Sequence, residues 1–175
     1  MEALNAIKDL IPDYAKDIRL NIDGVIARSS LPANEAVGAA LAAAFAAKNS
    51  TLVKVFKKSG LLDETEVQAA LTAASIMGMT NAWYSYIDMA TDTELKNQQA
   101  GLRMNAYATH GGVDQRRFEL WSLSASIVGK CRFCISAHTE VLKKAGLGIT
   151  ELKDVGRIAA VVNAAAQILV AEGHH

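Results

Sequence analysis

Residues 114–138, DQRRFELWSLSASIVGKCRFCISAH, decide how this chain folds. Asp114 has the side chain of a helix N-cap, able to accept from the unpaired N–H groups of a first turn, and it predicts a helix over about 115–128. Gly129 interrupts that helix. A second follows over 131–144, ended by Gly146 and Gly148. Helix, break, helix is a pattern that the flanking sequence repeats in both directions.

Beyond it, Thr150 starts a last helix extending to about Val170. Gly173-His174-His175 resembles the start of a purification tag, over 173–175, which leaves His110 and His138 as the histidines of interest. Before it, Gly111-Gly112 ends a helix expected over 94–107, and another covers about 81–90. Gly78 separates that one from a long helix begun at Asp63, where Glu66 completes a capping pattern. Pro32 suits the first turn of a helix to about Lys48, because its missing N–H would be unpaired there anyway. Asn49-Ser50 closes it, and a shorter helix over 51–59 ends at Gly60. Leu4, Ile7, Leu10 and Ile11 make a first amphipathic helix, Pro12-Asp13 breaks it, and a second over 14–21 leads to a turn at Asp23-Gly24. Alternating strand patterns are absent, so the expected fold class is all-α.

The chain has 175 residues, 51% of them hydrophobic and 21% charged, which suits one packed core and a single helical domain over 1–172. Lysine plus arginine and aspartate plus glutamate balance at 18 each, so no bulk charge recommends nucleic acid or an anionic membrane as a partner. The longest unbroken apolar run, 36–47, is shorter than the about 20 residues that span a bilayer, and it reads as a packed helix. Glu2, Asn5, Lys8 and Asp9 interrupt the amino-terminal apolar residues, unlike a secretory leader, and a cytoplasmic location is the default expectation.

Without a gap, 60–87 aligns on 111–138. Gly60 matches Gly111, Asp63 matches Asp114, Gly78 matches Gly129, and Ala74-Ser75-Ile76 matches Ala125-Ser126-Ile127, with Ser85 on Ser136. The aspartate and the glycines reproduce start and stop signals in register, so a degenerate helix-turn-helix repeat is expected. Where the second copy has Glu119, Cys131, Cys134 and His138, the first has Gln68, Thr80, Trp83 and Ile87. The first copy is then scaffold and the second the working half.

Cys131-Arg132-Phe133-Cys134 holds both cysteines of the chain. At the start of a helix, free N–H groups and the positive end of the dipole favour thiolate, and cysteines at i and i+3 lie close enough for a disulfide. His138, four residues beyond Cys134, shares that face, and Glu119 reaches it if the two helices form an antiparallel hairpin. A thiolate, a resolving thiol and a proton carrier are the parts needed for peroxide reduction. C-x-x-C alone is equally a metal motif, but two cysteines, His138 and a distant His110 make a poor four-ligand site. Two buried helical cysteines beside a satisfied histidine are the plain structural alternative. His110 reads as a loop residue, Met77, Met79 and Met104 as gap-filling core, and Trp83, Tyr84 and Tyr86 as core and interface packing. Arg132 either helps to hold a thiolate or is a solvated surface residue.

Leu10-Ile11-Pro12-Asp13-Tyr14-Ala15-Lys16-Asp17-Ile18, Ile76-Met77-Gly78-Met79, Gly101-Leu102-Arg103-Met104-Asn105, Phe118-Glu119-Leu120-Trp121-Ser122 and the C-x-x-C-x-x-x-His run together resemble the AhpD-type alkylhydroperoxidases, within the carboxymuconolactone-decarboxylase-like group. The resemblance spans nearly the whole chain. It implies an AhpD-like all-helical fold, a homotrimer, and reduction of organic hydroperoxides by Cys134 as the attacking thiol and Cys131 as the resolving one. Glu119 and His138 would form the proton relay, with Cys131 lying in it. It also implies no resident cofactor, re-reduction by the lipoyl group of a dihydrolipoamide acyltransferase fed by dihydrolipoamide dehydrogenase, and electron transfer to a peroxiredoxin. One position departs. The family's best-known pattern has histidine before the second cysteine, and Phe133 cannot relay protons. A thiol-disulfide electron adaptor and a non-catalytic scaffold with vestigial cysteines are the other readings.

Overall fold

The computed structural model of the protein describes residues 2–175. Ten α-helices make up the fold, with no strand among the described residues: α1 Glu2–Lys8, α2 Lys16–Ile22, α3 Ala33–Ala46, α4 Ser50–Lys57, α5 Glu64–Ala90, α6 Thr93–Lys96, α7 Asn105–Ala108, α8 Gln115–Gly129, α9 Arg132–Lys144 and α10 Ile149–Ala171. The all-α expectation holds. α8 is the central element, packed between α3, α5 and α10, with α9 folded back against it. Every residue of α8 from Phe118 through Ser126 is buried, as is every residue of α3 from Glu35 through Ala44. The alanines of α3 let backbones approach closely. At Gly38 the indole of Trp121 from α8 lies directly on the α3 backbone, because a Cβ there would sit 2.3 Å from Trp121 Cε2 and Nε1.

Local capping chemistry sets the helix starts. Asp63 Oδ1 accepts from the Glu66 N–H at 2.8 Å while Glu66 Oε2 accepts from the Asp63 N–H at 3.0 Å, a complete capping box. Asp114 Oδ1 accepts from the Arg117 N–H at 3.1 Å. Asn49 opens α4 rather than closing α3, its side chain accepting from the Leu52 N–H at 2.9 Å, and α3 stops at Ala46.

Three other expectations change. Gly78 does not interrupt a helix: α5 runs unbroken through it, held on its other face by buried Ala73, Ala74, Met77 and Thr80. The mid-helix penalty of glycine, about 1 kcal/mol, is small beside such packing. The expected helix over 94–107 is instead the two single turns α6 and α7, neither burying a residue, separated by a stretch in which Gly101 is left-handed at φ 62. A short helix with no apolar face in the core has nothing to offset its nucleation cost. At Asp23-Gly24 the chain makes a π-helical turn, Asp23–Ala27, which buries Val25 and Ile26 and places Asp23 2.7 Å from Lys8 Nζ.

The repeat is therefore matched at its capped starts and diverges at its second glycine. Only the 111–138 copy is a helix-turn-helix; the 60–87 copy leads from its Asp63 cap into the continuous α5. α10 is long and apolar enough to cross a membrane, with half of its apolar window buried inside the protein. Its buried Asp154 accepts from the N–H and hydroxyl of Ser30, both at 2.8 Å, and pairs with Arg157. Burial pushes that carboxyl up, but these donors outweigh it and hold it below the usual range.

Candidate active site

The break between α8 and α9 builds the site. Lys130, at φ 55, takes the left-handed conformation there, so Gly129 is needed for a different reason. A Cβ on Gly129 would meet Asn81 Nδ2 at 2.1 Å, where α5 crosses the end of α8. The chain turns at Lys130, whose N–H donates to Ile127 O at 3.1 Å, and the Cys131 N–H donates to Ser126 O at 3.3 Å.

Cys131 is the N-cap of α9, just outside the first turn, and its Sγ accepts from the Cys134 N–H at 3.2 Å. The two sulfurs are joined as a disulfide, with Cα atoms 5.3 Å apart. A cap sulfur facing a free helix N–H is stabilised as a thiolate once the bond opens.

The α8–α9 hairpin brings Glu119 to His138. Glu119 Oε2 lies 2.6 Å from His138 Nδ1, both side chains buried. The Tyr107 hydroxyl, from α7, donates to Glu119 Oε1. Burial drives the Glu119 carboxyl upward, yet the hydrogen bonds from His138 and Tyr107 outweigh it and hold the carboxyl below its usual range. Tyr107 is pushed well up, by burial first and then by its bond to that carboxylate. An ionised Glu119 takes the Nδ1–H of His138, so Nε2 is the nitrogen left to carry or release a proton on the other side. There it meets Met77 Sδ at 3.1 Å, and the Thr80 hydroxyl lies 3.6 Å from the same sulfur. One turn before Glu119, Arg116 pairs with buried Glu35 and Arg117 pairs with Glu66 at 2.8 Å, fixing the start of α8.

A cavity of about 150 Å³ opens beside these groups, lined by Met77, Thr80, Tyr84, Met104, Tyr107, Phe133, Cys134, Ala137 and His138. Cys134 faces it and Cys131 does not. Phe133, 55% exposed, stacks on Tyr84 with ring centroids 4.3 Å apart, so the position expected to take no part in proton transfer is an aromatic wall of the cavity. Arg132 is exposed, on a surface groove shared with Asp88 and Lys130.

All four expected site residues, Glu119, Cys131, Cys134 and His138, thus lie together. His110 sits at the edge of the cluster, its ring 5.9 Å from that of Phe118 and 6.4 Å from that of Tyr107, and its charged form draws the Glu119 carboxyl down. Tyr107 and Met77 are additions: the sequence pattern assigns Tyr107 to the end of a helix and Met77 to the core. Their partners are far along the chain, and no local spacing marks them.

The model of the Carboxymuconolactone decarboxylase family matches residues 93–172. The protein named alkyl hydroperoxide reductase AhpD from Coxiella burnetii is 41% identical over 174 residues, covering 97% of this chain and 98% of that one. Proteins of the same name from Rhodospirillum centenum and Brucella canis are 41% and 36% identical, over 97% of this chain and 92% and 97% of theirs.

Proposed function

The chain belongs to the carboxymuconolactone decarboxylase family, among its AhpD-type members, and from that membership we propose that it is an alkyl hydroperoxide reductase working through Cys131 and Cys134. One observation carries the proposal: Cys134 lines an apolar cavity beside a histidine whose far nitrogen is held by a buried carboxylate.

The Cys134 thiolate attacks the terminal peroxide oxygen and the O–O bond breaks. Protonated His138 Nε2 supplies the proton that turns the departing alkoxide into an alcohol. The sulfenic acid on Cys134 is then captured by Cys131, one helical turn away, releasing water and forming the disulfide. Glu119, with Tyr107 behind it, orients His138 and stabilises its protonated form. On re-reduction an incoming dithiol attacks Cys134, the sulfur that faces the cavity, and Cys131 leaves as a thiolate stabilised by the Cys134 N–H.

The dithiol in this scheme is the lipoyl group of a dihydrolipoamide acyltransferase, kept reduced by dihydrolipoamide dehydrogenase, and electrons pass on to a peroxiredoxin. The apolar lining suits both the lipoyl hydrocarbon and the organic part of a hydroperoxide. The protein needs no resident cofactor and works in the cytoplasm as a homotrimer. Exposed Met89, at the end of α5 in one groove with Phe133, supports an interface there.

Cys134→Ser should abolish hydroperoxide consumption in a lipoamide-coupled assay, and undiminished turnover sinks the assignment. Turnover with a peroxiredoxin disulfide but not with organic hydroperoxide would identify an electron adaptor instead. A pair that loses no hydrogens on brief peroxide exposure, read by mass, would mark a scaffold.

A further inference from the structure

We propose that Met77 is a second peroxide-reactive group of this site, oxidised to its sulfoxide once Cys131 and Cys134 are joined, and that the sulfoxide takes His138 out of the proton relay. The inference rests on the reductase reading above for the delivery of hydroperoxide to the cavity.

With the cysteines in a disulfide no thiolate faces the cavity. The remaining atoms there with the chemistry to reduce an O–O bond are the thioether sulfurs of Met77 and Met104. Met77 is only 3% exposed, so an oxidant reaches it through the cavity rather than across the general surface. The sulfur lone pair attacks the terminal oxygen of R–O–O–H, an S–O bond forms and the O–O bond breaks. The proton of that terminal oxygen passes by way of His138 to the departing alkoxide, which leaves as the alcohol. Sulfur loses two electrons and the peroxide gains them.

Met77 is the thioether whose oxidation the relay must feel. Its Sδ lies 3.1 Å from His138 Nε2 and 3.6 Å from the Thr80 hydroxyl. A sulfoxide oxygen is a far stronger acceptor than a thioether, and His138 Nε2 lies beside the sulfur, as does the Thr80 hydroxyl, which also has the Ile76 carbonyl at 3.1 Å as an acceptor. Once bonded, His138 keeps its Nε2 proton, turned to the sulfoxide rather than to Cys134. The dithiol that opens the disulfide leaves the sulfoxide in place, and methionine sulfoxide reductases remove it. Excess hydroperoxide with a lagging dithiol supply would therefore switch the site off until repair.

The test exposes the disulfide form of the full chain to cumene hydroperoxide without dithiol and maps the added oxygen by fragment-ion mass spectrometry. Met79, two residues along α5 and more exposed than Met77, is the internal control. Oxygen should appear on Met77 several-fold faster than on Met79. Activity measured afterwards with dihydrolipoamide should fall in proportion and return after treatment with methionine sulfoxide reductases of both stereochemical specificities. Met77→Leu, referred to its own initial rate, should keep that rate through the same exposure. Oxidation in order of exposure, with Met79 and Met89 ahead of Met77, overturns the proposal, as does unchanged activity with Met77 oxidised. Hydroperoxide consumption by the dithiol form is read before exposure: its absence removes the reductase reading, while the position of the added oxygen still decides the fate of Met77.

Discussion

Glu119 is one carboxylate serving two donors, Tyr107 and His138, and its held-down carboxyl is the electrostatic centre of the site. Tyr107→Phe removes one donor, so the Glu119 carboxyl should titrate at higher pH. As pH falls through that value Glu119 becomes neutral and releases His138. The acid limb of the kcat/KM profile should therefore move upward in pH, with a loss of about tenfold, or about 1.4 kcal/mol, at the pH of the wild-type limb. Activity should recover as pH rises; a uniform loss at every pH would mark Tyr107 as structural only. The same depressed carboxyl contributes to folding stability above the ordinary glutamate value, about 4.3, and that contribution disappears as pH falls through the folded one. Cys131, Cys134 and His138 were legible because all three lie within two turns of one helix, where spacing alone fixes the shared face. Glu119 needed only the hairpin in addition. Tyr107 was not legible: its partner is brought near by a single exposed turn with no apolar stripe of its own.

At the scale of elements, two glycines in helix interiors have opposite meanings. Gly38 lets α3 lie against the Trp121 ring of α8, and Gly38→Ala should overpack that contact and destabilise by about 1–3 kcal/mol. Gly78 has no neighbour within 4 Å of a built Cβ and lies on the exposed face of α5, so Gly78→Ala should stabilise by about 0.5–1 kcal/mol. Thermal unfolding of the two variants checks both signs; equal shifts would contradict the packing described. Sequence alone could not tell which of these glycines is crowded, since the difference lies in what another helix places beside each. Caps were legible because an aspartate and the N–H three residues later are local partners: Asp63 and Asp114 act as their positions predict. The split of 94–107 into two turns was not, because it follows from the lack of a core face, which is a property of the tertiary structure.

For the whole molecule, Glu119 sits on the deeply buried α8, and Cys134 and His138 sit on the helix folded back against it. α8 is enclosed by α3, α5 and α10, and α9 is pinned to it through Glu119 and His138. The disulfide contributes little to holding this assembly together. It joins residues only three apart, and closing so short a loop removes about 2 kcal/mol of unfolded-chain entropy, against about 4.7 for a loop of about 100 residues. At about 2–4 °C per kcal/mol for a chain of this size, full reduction should lower Tm by about 4–8 °C in a single transition by calorimetry. A larger drop, or a second transition, would show that the pair braces the fold. The thiolate that takes up the helix cap offsets part of even that small loss. A cross-link spanning one helical turn stores electrons rather than topology. Such a bond can be opened and closed indefinitely, with nothing outside that turn to re-form between one cycle and the next.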